Sequence, residues 1–399
     1  MPDIFELKNV IQNYSWGDSE TLSKLFNISN PAREPMAELW MGAHHKGESK
    51  IILKDSEETL TDFINSAPES ILGKKVVEKF NTELPFLFKV LSAAEPLSIQ
   101  VHPTKKQAIK GYEYENSLKI PLNAFERNFK DKNHKPELIY AITNFTALNG
   151  FRDLDDIIND LEKLNIPLVR KALDKLEDEK TPKGLKHFYT WLMTLDKTSK
   201  DELLLETKLF CKKYKQQQPF KLFLFLNEEY PEDIGAMCAL ILNFIELQPG
   251  EAMYLKPGQL HSYIHGTAME IMANSDNVLR GGLTKKFINI KELLENIDFS
   301  SNEISLVKPQ KVDKVYSNFK TPADDFELSV LDIKDSEYAI TNINSAEIIF
   351  CAKGSGSIEV DGKFKELKVG ISYFIPAYIN EYKITGEVLL YKASVPQID

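Results

Sequence analysis

The sequence predicts a mainly β protein with a helical insertion, built as two β units and one helical block. Three observations carry this. Residues 84–101 read LPFLFKVLSAAEPLSIQV, short apolar runs broken by Pro, as strands joined by turns should be. Between residues 153 and 215 the period changes: Leu154, Ile157, Ile158, Leu161 and Leu164 recur at helical steps, and DELLLETKLFCKKY repeats the amphipathic pattern. From residue 317 strand-sized runs return.

Each element has a local cause. Residues 238–247 (CALILNFIEL) have strand length and apolar content, and QPGEAMYLKPGQLHSYI follows with Pro-Gly turns between short apolar runs. In SIEV-DG-KFKEL, Asp361-Gly362 can take the positive φ values of a tight hairpin. The expected division is a first β unit over residues 1–150 and 226–316, a helical insertion over 151–225, and a smaller β unit over 317–399. In this last unit residues 353–382 look like a cupin half-barrel. No histidine follows His265, so its expected role is packing and support, without metal.

Bulk composition narrows the function classes. The 399 residues, 43% hydrophobic and 27% charged, suit two or more packed domains. A net charge of −10 would repel nucleic acid and acidic membrane faces. A small phosphorylated ligand is still open, because a few local cations can hold one phosphate. Cys211, Cys238 and Cys351 show no pair spacing and read as reduced thiols. No basic-then-apolar leader opens the chain and no run approaches a membrane span, so a cytoplasmic protein is expected. No heptad seam or self-complementary apolar patch stands out, and a monomer is the default expectation.

The sharpest local signal is Leu97-Ser98-Ile99-Gln100-Val101-His102-Pro103, where apolar and polar residues alternate. Strand side chains point to opposite faces in turn, so Ser98, Gln100 and His102 project together. Taken alone, the segment also fits a strand whose polar face meets water. Asn133-His134-Lys135-Pro136-Glu137 sets a base and a carboxylate beside a rigid Pro, which also fits a solvated turn. A third segment, Lys256 to His265, leads into a strand expected to carry His261, Tyr263 and His265 on one face. Glu270 follows inside an apolar run, where a carboxylate is either on a rim or buried for a purpose. Gln100, His102, Glu137 and His261 together make a mixed N/O set with room for water or substrate. Zinc is the expected occupant, with manganese, cobalt and iron compatible.

At this point the residues coincide with a family pattern. Over nearly its whole length the chain resembles type I mannose-6-phosphate isomerases. The motifs are Gln12-Asn13-Tyr14-Ser15-Trp16-Gly17, Ala37-Glu38-Leu39-Trp40-Met41-Gly42-Ala43-His44, Ser98 to Pro103, Asn133 to Glu137, and Met269 to Thr284 with Asn274-Ser275-Asp276-Asn277-Val278-Leu279-Arg280-Gly281-Gly282, all in the family's order. His45 stands where some members have Pro, and Gly281-Gly282 where Ala-Gly is common. The resemblance implies a catalytic cupin (jelly-roll, double-stranded β-helix) domain interrupted by helices, then a second cupin-like domain. It also implies one zinc ion at Gln100, His102, Glu137 and His261, with Arg280 as a catalytic residue beside it.

The implied reaction interconverts two hexose 6-phosphates, mannose 6-phosphate and fructose 6-phosphate, in mannose metabolism and GDP-mannose supply. It moves a proton between C2 and C1, most simply through a cis-enediolate. Either Glu270 or Lys135 could be the base. Arg280, Lys285, Lys286 and Lys135 are candidates for the phosphate, with Ser98 as a hydroxyl donor and Tyr263 and Asp276 as further substrate contacts. The competing readings are a non-haem iron oxygenase, against which Gln100 as a fourth ligand argues, and a non-catalytic sugar-phosphate binder.

Overall fold

The strand Phe86–Ala93 (FLFKVLSA) is buried at every position, as a strand covered on both faces must be. In the computed structural model, which describes residues 3–300 and 304–398, it lies antiparallel between Glu38–Met41 and His261–Ala273. Its one charged residue, Lys89, stands opposite Trp40 on one side and Glu270 on the other.

His261–Ala273 organises the first β unit. Its later residues pair with Phe86–Ala93 and Glu137–Ala141, while its start pairs with Phe145–Phe151 and, at His261, with Ile99–Val101. The change of partners occurs at an irregularity between Tyr263 and His265, followed by Gly266 at φ +119°. A Cβ there would lie 2.4 Å from the carbonyl oxygen of Asn144, so the corner requires glycine. This kink also separates residues expected to share a face. His261 and Tyr263 are buried, whereas His265 is exposed.

The helices Leu154–Lys163, Pro167–Asp178, Pro182–Met193, Lys197–Lys213 and Phe220–Glu229 form the insertion. Their apolar stripes, including Ile157, Leu161, Leu173, Leu185 and Phe223, share one core with Ile99, Val101 and Leu148 of the barrel. The helices therefore brace the strand that carries Gln100. Residues 238–247 differ from expectation: Cys238–Ile241 is a helical turn, and only Leu242–Leu247 is strand. Asp233 accepts the Gly235 N–H and starts a 3₁₀ turn over Ile234–Met237 that runs into it. A continuous apolar run has no period to distinguish the two conformations.

The second β system contains Tyr316–Phe319, Glu327–Thr341, Glu347–Val360, Lys363–Lys368, Ser372–Ile375 and Glu381–Ser394. Its Asp361-Gly362 hairpin has φ values of 48° and 76°, as a type I′ turn needs. The start of the chain also enters this sheet, with Phe5 opposite Phe374 and Glu6 opposite Tyr373. The two β systems meet across a common core in which Met41, Phe86 and Leu138 join Phe326, Phe350 and Tyr391. Each such fully buried aromatic or aliphatic side chain contributes roughly 1.5–3 kcal/mol.

Candidate functional site

A cavity of about 1060 Å³ opens at the mouth of the first barrel, and its lining includes Ser98, Gln100, Lys135, Glu137, Tyr263, Glu270, Asp276, Arg280 and Lys286. Strand register assembles its centre. Gln100 lies opposite His261 on one side and Arg280 on the other. Residues far apart in sequence therefore become neighbours in one sheet.

The two imidazoles are set in matching ways. His102 donates its Nδ1–H to the Asn277 carbonyl at 2.8 Å, and His261 donates its Nδ1–H to the Gln259 carbonyl at 2.8 Å. A carbonyl can only accept, so each ring carries its proton on Nδ1 and presents a bare Nε2 inward. His102 Nε2 lies 3.2 Å from Glu137 Oε1, and His261 Nε2 lies 3.6 Å from Glu137 Oε2. Their ligand atoms all fall within 4.8 Å of one another. His261 Nε2 is buried with no hydrogen-bond partner. An orphaned buried nitrogen is costly in an apolar setting and fits a position facing a cation. The donor set of two imidazole nitrogens, a carboxylate and the nearby Gln100 amide suits zinc.

Electrostatics agree with that arrangement. Burial, then the neighbouring Lys135 charge, pushes the His102 imidazolium down to about 3, so the ring is neutral at physiological pH. Burial likewise lowers His261. Burial alone would raise Glu137, but the neighbouring Lys135 charge outweighs it and holds the carboxyl well below its usual range. Lys135 Nζ lies 2.6 Å from Glu137 Oε1 and 3.4 Å from His102 Nε2.

Behind this layer Glu270 and Tyr263 join a buried network centred on Lys89, a residue that the sequence does not single out. Lys89 Nζ lies 2.7 Å from Glu270 Oε2 and 3.8 Å from Glu38 Oε2, and 5.4 Å from the Trp40 ring centroid. Tyr263 donates its hydroxyl to Glu137 Oε2 at 2.9 Å and has Glu270 Oε1 at 3.1 Å. Burial would lower the Lys89 pKa, but Glu270 and Glu38 raise it above the usual range and keep it charged. Glu270 is therefore buried for a purpose, and its oxygens are committed to Lys89 and Tyr263. A lone lysine in FLFKVLSA was the available signal.

The remaining candidates lie on the rim. Asp276 contacts His44, His45 and Lys46, with Lys46 Nζ at 2.8 Å. Lys286 is lowered by burial and by Arg280, which marks a cationic corner. The strand that carries Arg280 is held in place by the turn at Asp233 and Gly235. Asp233 Oδ2 accepts the Thr284 N–H at 3.0 Å, and Gly282, at φ +134°, would bring a Cβ within 2.6 Å of Gly235 Cα. Gly282 thus allows a close approach that a side chain would block. His134 turns away from the cavity to Asp325, 2.9 Å from its Oδ2, tying the Asn133–Glu137 turn to the second β system.

Comparison with known proteins agrees with this geometry. Residues 4–154 match the family model described as phosphomannose isomerase type I, catalytic domain, and residues 316–394 match mannose-6-phosphate isomerase, cupin domain. Mannose-6-phosphate isomerase of Escherichia coli (strain K12) is 40% identical over 384 residues, spanning 95% of this chain and 96% of its own. The Homo sapiens enzyme of that name is 33% identical over 387 residues, with 89% and 88% covered. A crystal structure of zinc-bound mannose 6-phosphate isomerase superposes with a TM-score of 0.92 at 39% identity, covering 99% of this chain and 100% of that one. A mutant of phosphomannose isomerase from Salmonella typhimurium gives 0.93 at 38% identity over the same shares. The chain belongs to the type I mannose-6-phosphate isomerase family of the cupin superfamily and is an enzyme of the isomerase class.

Proposed function

We propose that this chain interconverts mannose 6-phosphate and fructose 6-phosphate in the cavity of the first barrel, with zinc held by Gln100, His102, Glu137 and His261. The observation that carries the reading is the pair of neutral imidazoles whose inward Nε2 atoms converge on Glu137, one of them buried without a partner. Zinc bound there would supply Lewis-acid stabilisation to the negative charge that builds during isomerisation.

The residues around it supply the rest. The reaction removes the C2 proton, passes through a cis-enediolate and returns a proton at C1. Lys135 is our choice for the proton-transfer group, because its Nζ lies among the proposed ligands and lines the cavity. Glu270, the other candidate, is engaged by Lys89 and Tyr263 and acts as a positioning residue. Arg280, next to Gln100 in the sheet, presents a fixed cation to the developing oxyanion. With Lys286 it also makes the corner that suits the phosphate, while Ser98 offers a hydroxyl from the same wall. Tyr263 and Asp276 orient neighbouring groups through the bonds already described. The catalytic unit so defined comprises residues 1–150 and 230–316, with 151–229 as bracing, since the helix Phe220–Glu229 carries the insertion past residue 225, and 317–399 as a unit without metal. A reducing, cytoplasmic setting suits the buried free thiols of Cys211, Cys238 and Cys351.

Mannose 6-phosphate incubated with the metal-loaded chain in heavy water should yield fructose 6-phosphate and take up deuterium from solvent. Both signals should vanish after chelation and return with zinc. A chain that binds the sugar phosphate but forms no fructose 6-phosphate would be a binding protein and would overturn the proposal.

A further inference from the structure

The second β system has a cavity of its own. It measures about 280 Å³, just under the roughly 300–1,000 Å³ of pockets for drug-sized ligands. Lys392 and Glu347 lie against it, each 4% exposed, and form an ion pair. Tyr382 donates its hydroxyl to Glu347 Oε2 at 2.7 Å, and the Lys392 ammonium lies 5.3 Å from the Tyr316 ring centroid. An ammonium has three N–H groups. Glu347 takes one and Tyr316 lies alongside, so at least one is left for the cavity.

A second carboxylate faces the same space. Glu327 lines the cavity, and among the described residues no hydrogen bond or salt bridge engages its side chain. Burial raises its pKa, as expected for an acceptor that has lost water without gaining a donor. The Tyr316 and Tyr338 rings meet edge to face at 6.4 Å, and Tyr338 is anchored by its hydroxyl bond to Asp313 at 2.6 Å.

We propose that this cavity is a second binding site, for a neutral polyhydroxylated ligand of monosaccharide size. Two carboxylates against one ammonium disfavour a phosphate ester, and walls rich in polar side chains disfavour an apolar ligand. A sugar supplies hydroxyls that donate to Glu327 and accept from Lys392, and C–H faces that pack on the tyrosine rings. The chain offers an internal parallel. The Lys89, Glu270 and Tyr263 trio, with Lys89 beside the Trp40 ring, borders the larger cavity, and the second barrel repeats lysine, glutamate, tyrosine and an aromatic ring at its own cavity.

The test uses the full-length enzyme with saturating mannose 6-phosphate, so that the first cavity is filled, and titrates D-mannose calorimetrically. One further site per chain is expected. Glu327→Ala should weaken that binding about tenfold or more, as loss of a hydrogen bond to a charged group does, Tyr338→Ala should weaken it through loss of the ring the sugar packs on, and both should leave isomerisation unchanged. Absence of binding by D-mannose, D-glucose and D-mannitol would overturn the proposal. So would D-mannose binding that both variants leave intact, or a second mannose 6-phosphate site lost in Glu327→Ala.

Discussion

In the first barrel Lys89 is paired with Glu270, Tyr263 donates its hydroxyl nearby and the Trp40 ring flanks the ammonium. In the second barrel Lys392 is paired with Glu347, Tyr382 donates to the same carboxylate and the Tyr316 ring flanks the ammonium. The difference lies in the neighbours. Beside the first trio stand His102, His261 and a second carboxylate, Glu137; beside the second there is no imidazole, because no histidine follows His265. A buried lysine–glutamate–tyrosine cluster thus shapes a polar interior in both barrels. Metal chemistry requires the imidazoles added to one of them.

Removing an imidazole should break that contrast most strongly. His261→Ala should strip most bound zinc, as elemental analysis would show, and lower turnover by roughly 10³-fold or more. Full metal retention would contradict the assignment. Next comes Arg280→Ala, which should lower kcat by about 10²–10³ with metal content unchanged. Near-normal turnover in that variant would remove Arg280 from the catalytic set.

The two trios can then be compared directly. Lys89→Met and Lys392→Met each leave a buried carboxylate without its cation, a loss of about 3–5 kcal/mol that denaturant unfolding would measure. Only the first should also lower kcat, because only Glu270 borders the metal cavity. Equal catalytic losses would mean that the second barrel contributes to the reaction.

The smallest effect concerns acid stability. Burial would raise the Asp276 pKa, but its bonds to His44 and Lys46 outweigh burial and hold it well below the ordinary value of 3.8. A carboxyl depressed in the folded state contributes stability that is complete above the unfolded value and fades as pH falls toward the folded one. Asp276→Asn should therefore lose less stability than the wild type when pH is lowered from 5 through this range. Parallel acid profiles would show that the rim bonds add nothing.

How much of this was legible depends on whether the cause was local. Alternation around Gln100 and His102 is written in a few adjacent residues, and the structure places Gln100 on the cavity wall and His102 beside Glu137, which lines it. Asp361-Gly362 declared its hairpin through backbone preference. The helix Lys105–Ser117 has a local cause too, a capping box between Thr104 and Gln107. Lys89 was harder, because its meaning comes from Trp40 and Glu270 on neighbouring strands. The same holds for Phe5–Lys8, whose partner Ser372–Ile375 lies at the other end of the chain. The exposure of His265 has the same kind of cause: alternation holds through Tyr263 and breaks at the irregularity that precedes Gly266.

The central claim is a single metal centre, built in the first barrel from Gln100, His102, Glu137 and His261. Anomalous diffraction from crystals of the zinc-loaded enzyme, recorded across the zinc edge, tests it most directly. One peak is expected among those four side chains, and none beside Lys392 and Glu347. A zinc peak elsewhere, or no peak between His102 and His261, would contradict it.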